Sequence, residues 1–186
     1  MHNVEARPLE ALVAGLCELD LQRCRDGAVG ELLRIAAAAK PILPIALATS
    51  QPRAYTRTLL FRNDDFELLA LYWPSGASTP IHDHGGRRCW LTLVDGAMQI
   101  ENYLRTDDGT RRGYAALARQ DDVALAPGDV DLRSNDRELH RCIALVPETT
   151  TFHIYARPLA EFNVFNHEAA TYTECTPNYD KILAIV

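Results

Sequence analysis

Two of the six histidines in this chain, His82 and His84, stand two positions apart. Side chains at positions i and i+2 of a β-strand leave the same face, so on a strand both imidazoles can reach one metal ion. Neutral imidazole is a common metal ligand, whereas a solvated surface pair of histidines is the alternative interpretation. These two residues alone do not decide between a metal site and a surface pair.

A second set of polar residues lies beyond residue 150 in an alternating pattern. Thr151, His153 and Tyr155 alternate with the apolar Phe152 and Ile154. On a strand, this alternation predicts that the three polar side chains share an inward face while the apolar pair packs behind them. The alternatives for His153 are a further metal ligand and a hydrogen-bonded core histidine.

The spacing around the histidine pair extends the first signal. Gly76 is followed after five residues by His82, then by His84 after one, Cys89 after four and Gly96 after six. This frame resembles the first motif of the cupin superfamily. That motif usually carries glutamate where this chain has Cys89, and cysteine at this position resembles the cysteine dioxygenases, which are thiol dioxygenases of that superfamily.

The resemblance covers most of the chain beyond residue 55. The segments that carry it follow one another in the family's order and at similar intervals, and they are residues 55–57, Trp73, residues 80–84, Cys89, His140 and residues 151–155. The resemblance implies a cupin barrel, a double-stranded β-helix, with two helices before it. It also implies an enzyme that uses O2 to oxidise the thiol of a small carboxylate-bearing thiol, L-cysteine first, to a sulfinate.

The resemblance further implies one Fe(II) per chain, held by His82, His84 and His140. Three neutral imidazoles leave the ion its full positive charge, and the absence of a protein carboxylate favours an anionic thiolate as the next ligand. Open coordination positions then remain for the substrate and O2. The sequence carries neither a GxGxxG nor a Walker A pattern, so no nucleotide cofactor is expected.

For the substrate, the resemblance implies that Arg57 binds the carboxylate, because a planar guanidinium donates two parallel hydrogen bonds. Tyr55 and Trp73 are expected to line the same pocket. The alternative for Arg57 is a charge at a strand edge that faces water. Arg157 follows Tyr155 in Ala156-Arg157-Pro158, where the mammalian pattern has Ser-Pro-Pro, and it is a candidate for a second carboxylate or for solvent exposure.

The catalytic roles implied by the resemblance fall on three residues. Tyr155 is expected to place its hydroxyl beside iron and O2, with His153 hydrogen-bonded to it and Thr151 steadying His153. Cys89 is expected near Tyr155, where family members form a thioether between the cysteine sulfur and the tyrosine ring. A small buried hydrophobe is the alternative for Cys89, and Asp83 is interpreted as structural because it points to the opposite face.

Two alternatives remain for the function. The same iron chemistry acts on 3-mercaptopropionate or mercaptosuccinate in bacterial relatives. A cupin that binds a metal or small ligand without turnover is the alternative from another class. A cupin that only binds a metal needs no family residue beyond the three histidines. The presence of further family residues argues against this alternative, and they are Tyr55, Arg57, Cys89, His153 and Tyr155.

Periodicity predicts the elements that position these residues. Apolar residues at helical spacing over 9–16 and 29–36 predict two helices, which end before Pro41 and Pro44. Branched and aromatic segments then predict antiparallel strands near 55–61, 66–73, 89–94, 98–104, 113–118, 122–125, 129–132, 140–146 and 150–155. So many strands close most simply into a double-sheet barrel. We expect one domain over 1–186, with a helical portion over 1–50 and the barrel and tail over 55–186.

Composition limits the partners. The net charge of −6 and the isoelectric point near 5.5 repel phosphate backbones, so no nucleic acid is expected. No long uncharged apolar run predicts a membrane span. His2, Glu5 and Arg7 do not resemble a signal peptide, so a cytoplasmic protein with five reduced cysteines, monomeric or a small homo-oligomer, is expected. The arginine pairs at 87–88 and 111–112 are interpreted as solvated surface charge.

Overall fold

The computed structural model describes residues 8–41 and 54–183. Helix α1 spans Pro8–Cys17 and helix α2 spans Asp26–Ala38, in agreement with the two predicted helices. Each helix buries one apolar face, which includes Leu12 and Leu16 in α1 and Leu33 in α2. Neither helix in the described ranges is long and apolar enough to cross a bilayer. The predictions made for His2, Glu5, Arg7 and Pro44 lie outside these ranges.

Thirteen strands follow in the described part of the chain. Their bounds are β1 Thr56–Arg62, β2 Phe66–Trp73, β3 Ile81–His82, β4 Cys89–Asp95, β5 Met98–Arg105, β6 Leu117–Arg119, β7 Val123–Leu125, β8 Val130–Arg133, β9 Glu138–Ala144, β10 Thr149–Ala156, β11 Phe162–Asn166, β12 Thr171–Cys175 and β13 Lys181–Ile182. One sheet has the order β13-β1-β2-β10-β4-β8, and the other has the order β12-β11-β3-β9-β5-β6 with β7 paired to β5.

The prediction of a mainly β, double-sheet barrel with two helices before it is confirmed. The predicted segment 113–118 is a strand only at its end, in β6. Four strands were not predicted, namely β3, β11, β12 and β13. Two of them, β3 and β13, contain only two residues each, too few to show a period of two in the sequence.

Alternation along the first sheet separates two apolar layers. Leu69, Leu71 and Leu91 point between the two sheets, whereas Leu68 and Phe152 point to the other face and pack with the helices. Strands β2 and β4 of this sheet are therefore buried on both faces, which explains their nearly continuous apolar sequence. The cavity described below lies on the face between the sheets.

Arg88 connects the helical part of the chain to the barrel. Its guanidinium donates to the carbonyls of Leu21 and Cys24, pairs with the Asp26 carboxylate and lies 4.5 Å from the centre of the Trp90 ring. The side chain is only 16% exposed. The interpretation of residues 87–88 as solvated surface charge is therefore wrong for Arg88.

Candidate metal centre and substrate cavity

Three histidines converge at one point of the barrel. His82 on β3 pairs directly with His140 on the neighbouring β9, so their side chains lie next to each other. His84 stands just beyond the end of β3, in the turn that leads to β4, yet its ring meets the same point. One nitrogen of each imidazole lies within 4.8 Å of those of the other two, so the group can hold a metal ion.

Hydrogen bonds orient two of the three rings. Nδ1 of His82 lies 3.0 Å from the Pro80 carbonyl oxygen, and Nδ1 of His140 lies 3.0 Å from Oδ2 of Asp131. Because both oxygens accept, each Nδ1 carries the proton and each Nε2 keeps its lone pair, which in His140 lies 3.9 Å from Sγ of Cys142. Both tautomers are therefore those that bind a metal through Nε2.

His84 provides the test of whether a metal fits. Both of its ring nitrogens are buried, and neither has a hydrogen-bond partner. An unsatisfied buried polar group costs about 1–3 kcal/mol, so a ring with two of them requires an explanation. A metal ion bound by His84 together with His82 and His140 satisfies one of these nitrogens.

The surroundings keep the three imidazoles neutral. Burial, and secondarily the neighbouring His140, lower the pKa of His82 to about 3. The same causes hold the pKa of His84 well below its usual range. Burial also lowers the pKa of His140, although the Asp131 carboxylate opposes the shift. Neutral imidazole is the form that binds metal, so the site is ready for an ion at neutral pH.

Asp131 and Arg133 support His140 from β8, and neither residue was predicted from the sequence. Arg133 donates to Oδ2 of Asp131 from Nε at 2.9 Å and to Oδ1 from Nη2 at 2.6 Å. Nη2 of Arg133 also donates to Oδ1 of Asn102 at 2.6 Å. Burial raises the pKa of Asp131, but the hydrogen bond with His140, and after it the contact with Arg133, holds this pKa below its usual value. An acid and an arginine two apart on a strand are the only signal in the sequence.

A cavity of about 60 Å³ lies next to the histidine group. Tyr55, Arg57, His82, His153 and Tyr155 contribute polar groups to its wall, and the rest of the wall comes from Leu71, Thr79, Pro80, Leu159 and Phe162. The structure thus brings together five of the residues selected from the sequence. Nη2 of Arg57 is buried and has no hydrogen-bond partner.

Trp73 lies behind this wall and does not contribute to it, contrary to the expectation that it lines the pocket. Its ring stacks on Tyr55 with centroids 4.4 Å apart. Its indole Nε1 donates to Oγ1 of Thr151 at 2.9 Å. Trp73 therefore acts as a fully buried support for Tyr55 and for the polar face of β10.

The polar face of β10 is present as the alternation predicted. Oγ1 of Thr151 lies 2.9 Å from Nε2 of His153, so the hydroxyl steadies the imidazole. The rings of His153 and Tyr155 are stacked with centroids 6.4 Å apart. Among the described residues, His153 is hydrogen-bonded to Thr151 and not to Tyr155, which differs from the expected relay. Burial keeps the pKa of His153 well below its usual value, so this imidazole is neutral.

Cys89 and Tyr155 stand directly opposite each other on β4 and β10. Both side chains are buried. Burial, together with the neighbouring Cys89, raises the pKa of Tyr155 well above its usual value, and burial also raises that of Cys89. Both groups are therefore protonated at neutral pH.

Arg157 is not part of this site. It has a positive φ of 68°, and its backbone N–H donates to the carbonyl of Asp65. The side chain is exposed and lines a separate cavity with Asp65 and the segment between the two helices. The turn after β10 thus directs Arg157 away from the substrate cavity, so of the two alternatives for this residue the structure has solvent exposure.

Asp83 has the structural role expected of it. It is buried and accepts hydrogen bonds from the backbone N–H of Gly85 and from both the backbone and the side-chain amide of Asn163. These bonds tie the turn that carries His84 to strand β11. The carboxylate between the two histidines therefore positions the turn and does not join the metal group.

A two-sheet barrel with three inward histidines defines a cupin with a metal-binding centre. The sequence profile of the family described as cysteine dioxygenase type I matches residues 6–168. The chain therefore belongs to the cysteine dioxygenase type I family, and this membership supports dioxygenase activity.

Solved cupin structures resemble parts of the chain at low identity. KdgF from a Halomonas species is 18% identical, with a TM-score of 0.45 over 60% of this chain and 86% of that chain. An RmlC-like cupin from Desulfovibrio desulfuricans is 16% identical, with a TM-score of 0.42 over 62% of this chain and 92% of that chain.

Proposed function

We propose that the chain is an Fe(II)-dependent thiol dioxygenase that oxidises L-cysteine with O2 to cysteine sulfinate. One observation carries the proposal: Arg57, whose Nη2 is buried and has no hydrogen-bond partner, lines the same small cavity as His82 and Tyr155. A buried cation with an unused donor calls for an anionic ligand group. A small carboxylate that carries a thiol meets both the arginine and the metal.

The metal proposed is iron, held by His82, His84 and His140. Bound ferrous iron lets O2 react with a thiolate without an external reductant. In the overall reaction the sulfur gains two S–O bonds and loses four electrons, O2 accepts those four electrons, and the thiol proton is released. Both oxygen atoms remain in the sulfinate, so the reaction needs no further co-substrate.

The protein's own groups bind and orient the reactants. Arg57 can donate to the substrate carboxylate, and Tyr55, stacked on Trp73, forms the wall beside it. Tyr155 keeps its proton because its pKa is raised, so it can donate a hydrogen bond to an anionic group in the cavity. The apolar side chains of Leu159 and Phe162 exclude water, which strengthens these contacts.

The residues that line the cavity also favour some thiols over others. Among the described residues of the wall, Arg57 is the one formal cation, and no carboxylate is present. Mercaptosuccinate carries a second carboxylate that would lack a partner there, because Arg157 points elsewhere. 3-Mercaptopropionate satisfies Arg57 as well as L-cysteine does, so Arg57 by itself does not distinguish these two thiols.

The test is O2 uptake by iron-loaded protein with L-cysteine, 3-mercaptopropionate, mercaptosuccinate and cysteamine, which has no carboxylate. The product is identified by mass spectrometry as the thiol plus two oxygen atoms. His140→Ala is the control for chemistry by unbound iron. The highest kcat/KM is expected with L-cysteine. A preference for 3-mercaptopropionate would change the substrate, and iron binding without O2 uptake for any thiol would leave a non-catalytic cupin.

A further inference from the structure

The segment of residues 177–183, called here the C-terminal strap, lies along the strand that carries Arg57. Its strand β13 pairs in parallel with β1, with Lys181 opposite Thr58. The backbone N–H of Arg57 donates to Oδ2 of Asp180 at 2.8 Å, and the N–H of Asp180 donates back to the Arg57 carbonyl at 2.9 Å. These two hydrogen bonds fix the backbone of Arg57 to the strap.

Tyr179 contacts the side chain of Arg57. The guanidinium carbon of Arg57 lies 5.7 Å from the centre of the Tyr179 ring, within the range of a cation–π contact. The Tyr179 hydroxyl donates to Oε2 of Glu67 at 2.6 Å, and the backbone N–H of Leu159 donates to Oε1 of the same carboxylate at 3.2 Å. Glu67 is fully buried, so this end of Tyr179 is firmly held.

The result is an arginine that is held in place while one of its donors is left free. The strap supports the backbone through Asp180 and the guanidinium through Tyr179, yet Nη2 has no partner. Arginine otherwise loses much rotamer freedom when it binds a ligand, so prior ordering strengthens binding. The family match ends at residue 168, so it does not extend to the strap.

We propose that Tyr179 and Asp180 are positioning residues that hold Arg57 for the substrate carboxylate and so set the affinity for carboxylate-bearing thiols. This inference rests on the proposed function. Tyr179 acts through its ring and Asp180 through a side-chain acceptor. Neither residue needs to touch the substrate.

The test compares variants that remove each contact with variants that keep it. Tyr179→Leu removes the ring and is expected to raise KM for L-cysteine about tenfold, with a smaller change in kcat. Tyr179→Phe keeps the ring and should therefore keep most of the wild-type affinity for L-cysteine. Asp180→Ala removes the acceptor, whereas Asp180→Asn keeps an oxygen that accepts from Arg57. Tyr114→Leu is the matched control, because Arg111 lies 5.0 Å from the Tyr114 ring outside the cavity.

A double-mutant cycle separates positioning from general damage. If Tyr179 acts through Arg57, then Tyr179→Leu has no further effect on KM in an Arg57→Ala background. A structural defect, such as loss of the hydroxyl that serves Glu67, would lower activity equally in both backgrounds. Equal fold-changes in the two backgrounds would overturn the inference.

Anaerobic calorimetry of L-cysteine binding to the iron-loaded protein distinguishes the two proposals. If the wild type oxidises L-cysteine but the cycle is additive, the strap inference fails and the proposed function stands. Another outcome is that the wild type binds L-cysteine without oxidising it, while the dissociation constants of the four proteins in the cycle still show coupling between Tyr179 and Arg57. In that case the proposed function fails and the strap inference stands. If the wild type does not bind L-cysteine, both are overturned.

Discussion

Replacing Asp131 with asparagine should weaken metal binding without removing any metal ligand. The carboxylate accepts from Nδ1 of His140 at 3.0 Å and from Arg133 through both of its oxygens. Asparagine keeps one acceptor oxygen, which can take the place of Oδ2, but it puts an NH2 donor where Oδ1 accepts from Nη2 of Arg133, so that hydrogen bond is lost. It also removes the negative charge that makes His140 a better ligand.

The expected loss is about 10–100-fold in metal affinity, which is typical when a carboxylate behind a ligating histidine is removed. This corresponds to about 1.4–2.8 kcal/mol of binding free energy. Anaerobic competition with a chromophoric chelator measures the affinity for Fe(II), and for Zn(II) as a redox-inert comparison. The matched control is Asp122→Asn, which disturbs an exposed pair with Arg119.

Asp131→Asn also leaves Arg133 without an anionic partner, and this arginine is only 8% exposed. The variant should therefore unfold at lower urea, and its metal affinity must be measured where both proteins are folded. An affinity equal to that of the wild type in folded protein would refute the reasoning that Asp131 orients and activates His140. A loss equal to that of Asp122→Asn would do the same.

Three further predictions concern the cavity and the buried titratable groups. Arg57→Ala should raise KM for L-cysteine strongly, because losing a bidentate charge-assisted contact costs on the order of 2–4 kcal/mol; steady-state kinetics measure this, and unchanged kinetics would remove Arg57 from the substrate site. A fraction of the protein should acquire a Cys89–Tyr155 thioether during turnover, since the two buried residues stand opposite each other on neighbouring strands. Intact-mass spectrometry and peptide mapping should show the loss of two hydrogens, and quantitative alkylation of Cys89 in denatured, fully turned-over protein would contradict it. The free energy of unfolding of the metal-free protein should fall as the pH drops from about 6.5 towards 3, because the unfolded chain binds protons at histidines whose folded pKa is depressed, to about 3 for His82. Each such histidine adds a slope of up to about 1.4 kcal/mol per pH unit, so urea unfolding at pH 7.5 and pH 5 should differ, and equal values would be inconsistent with neutral buried imidazoles.

The sequence predicted the parts of the site whose signal is local. His82 and His84 share a short segment, and the period of two over residues 151–155 is visible in the sequence and present in β10. His140 has no local signal and was placed only through the resemblance to the family. The structure explains its position, because β9 pairs with β3 across a long separation in the chain.

The features that the sequence did not predict depend on contacts between strands and turns that only the folded chain brings together. Asp131 reaches His140 because β8 and β9 contribute to different sheets that meet at the metal centre. Tyr179 reaches Arg57 because the chain returns to β1 more than a hundred residues later. The position of Arg157 soon after Tyr155 left both a carboxylate site and solvent exposure open, and the backbone with φ of 68° there accompanies a turn that takes its side chain away from the cavity. Spacing in the sequence does not reveal such a reversal.

The two halves of the site differ in how firmly the backbone holds them. Strand β10 is paired along its length on both sides, so Thr151, His153 and Tyr155 can leave their places only when the central sheet opens. His82 belongs to a strand of two residues and His84 to the following turn. The hydrogen bonds of Asp83 with Gly85 and Asn163 hold this segment in place of a long strand ladder. Segments with little strand pairing exchange their amide hydrogens through local fluctuations. The backbone amides of residues 81–86 are therefore expected to exchange faster than those of β10.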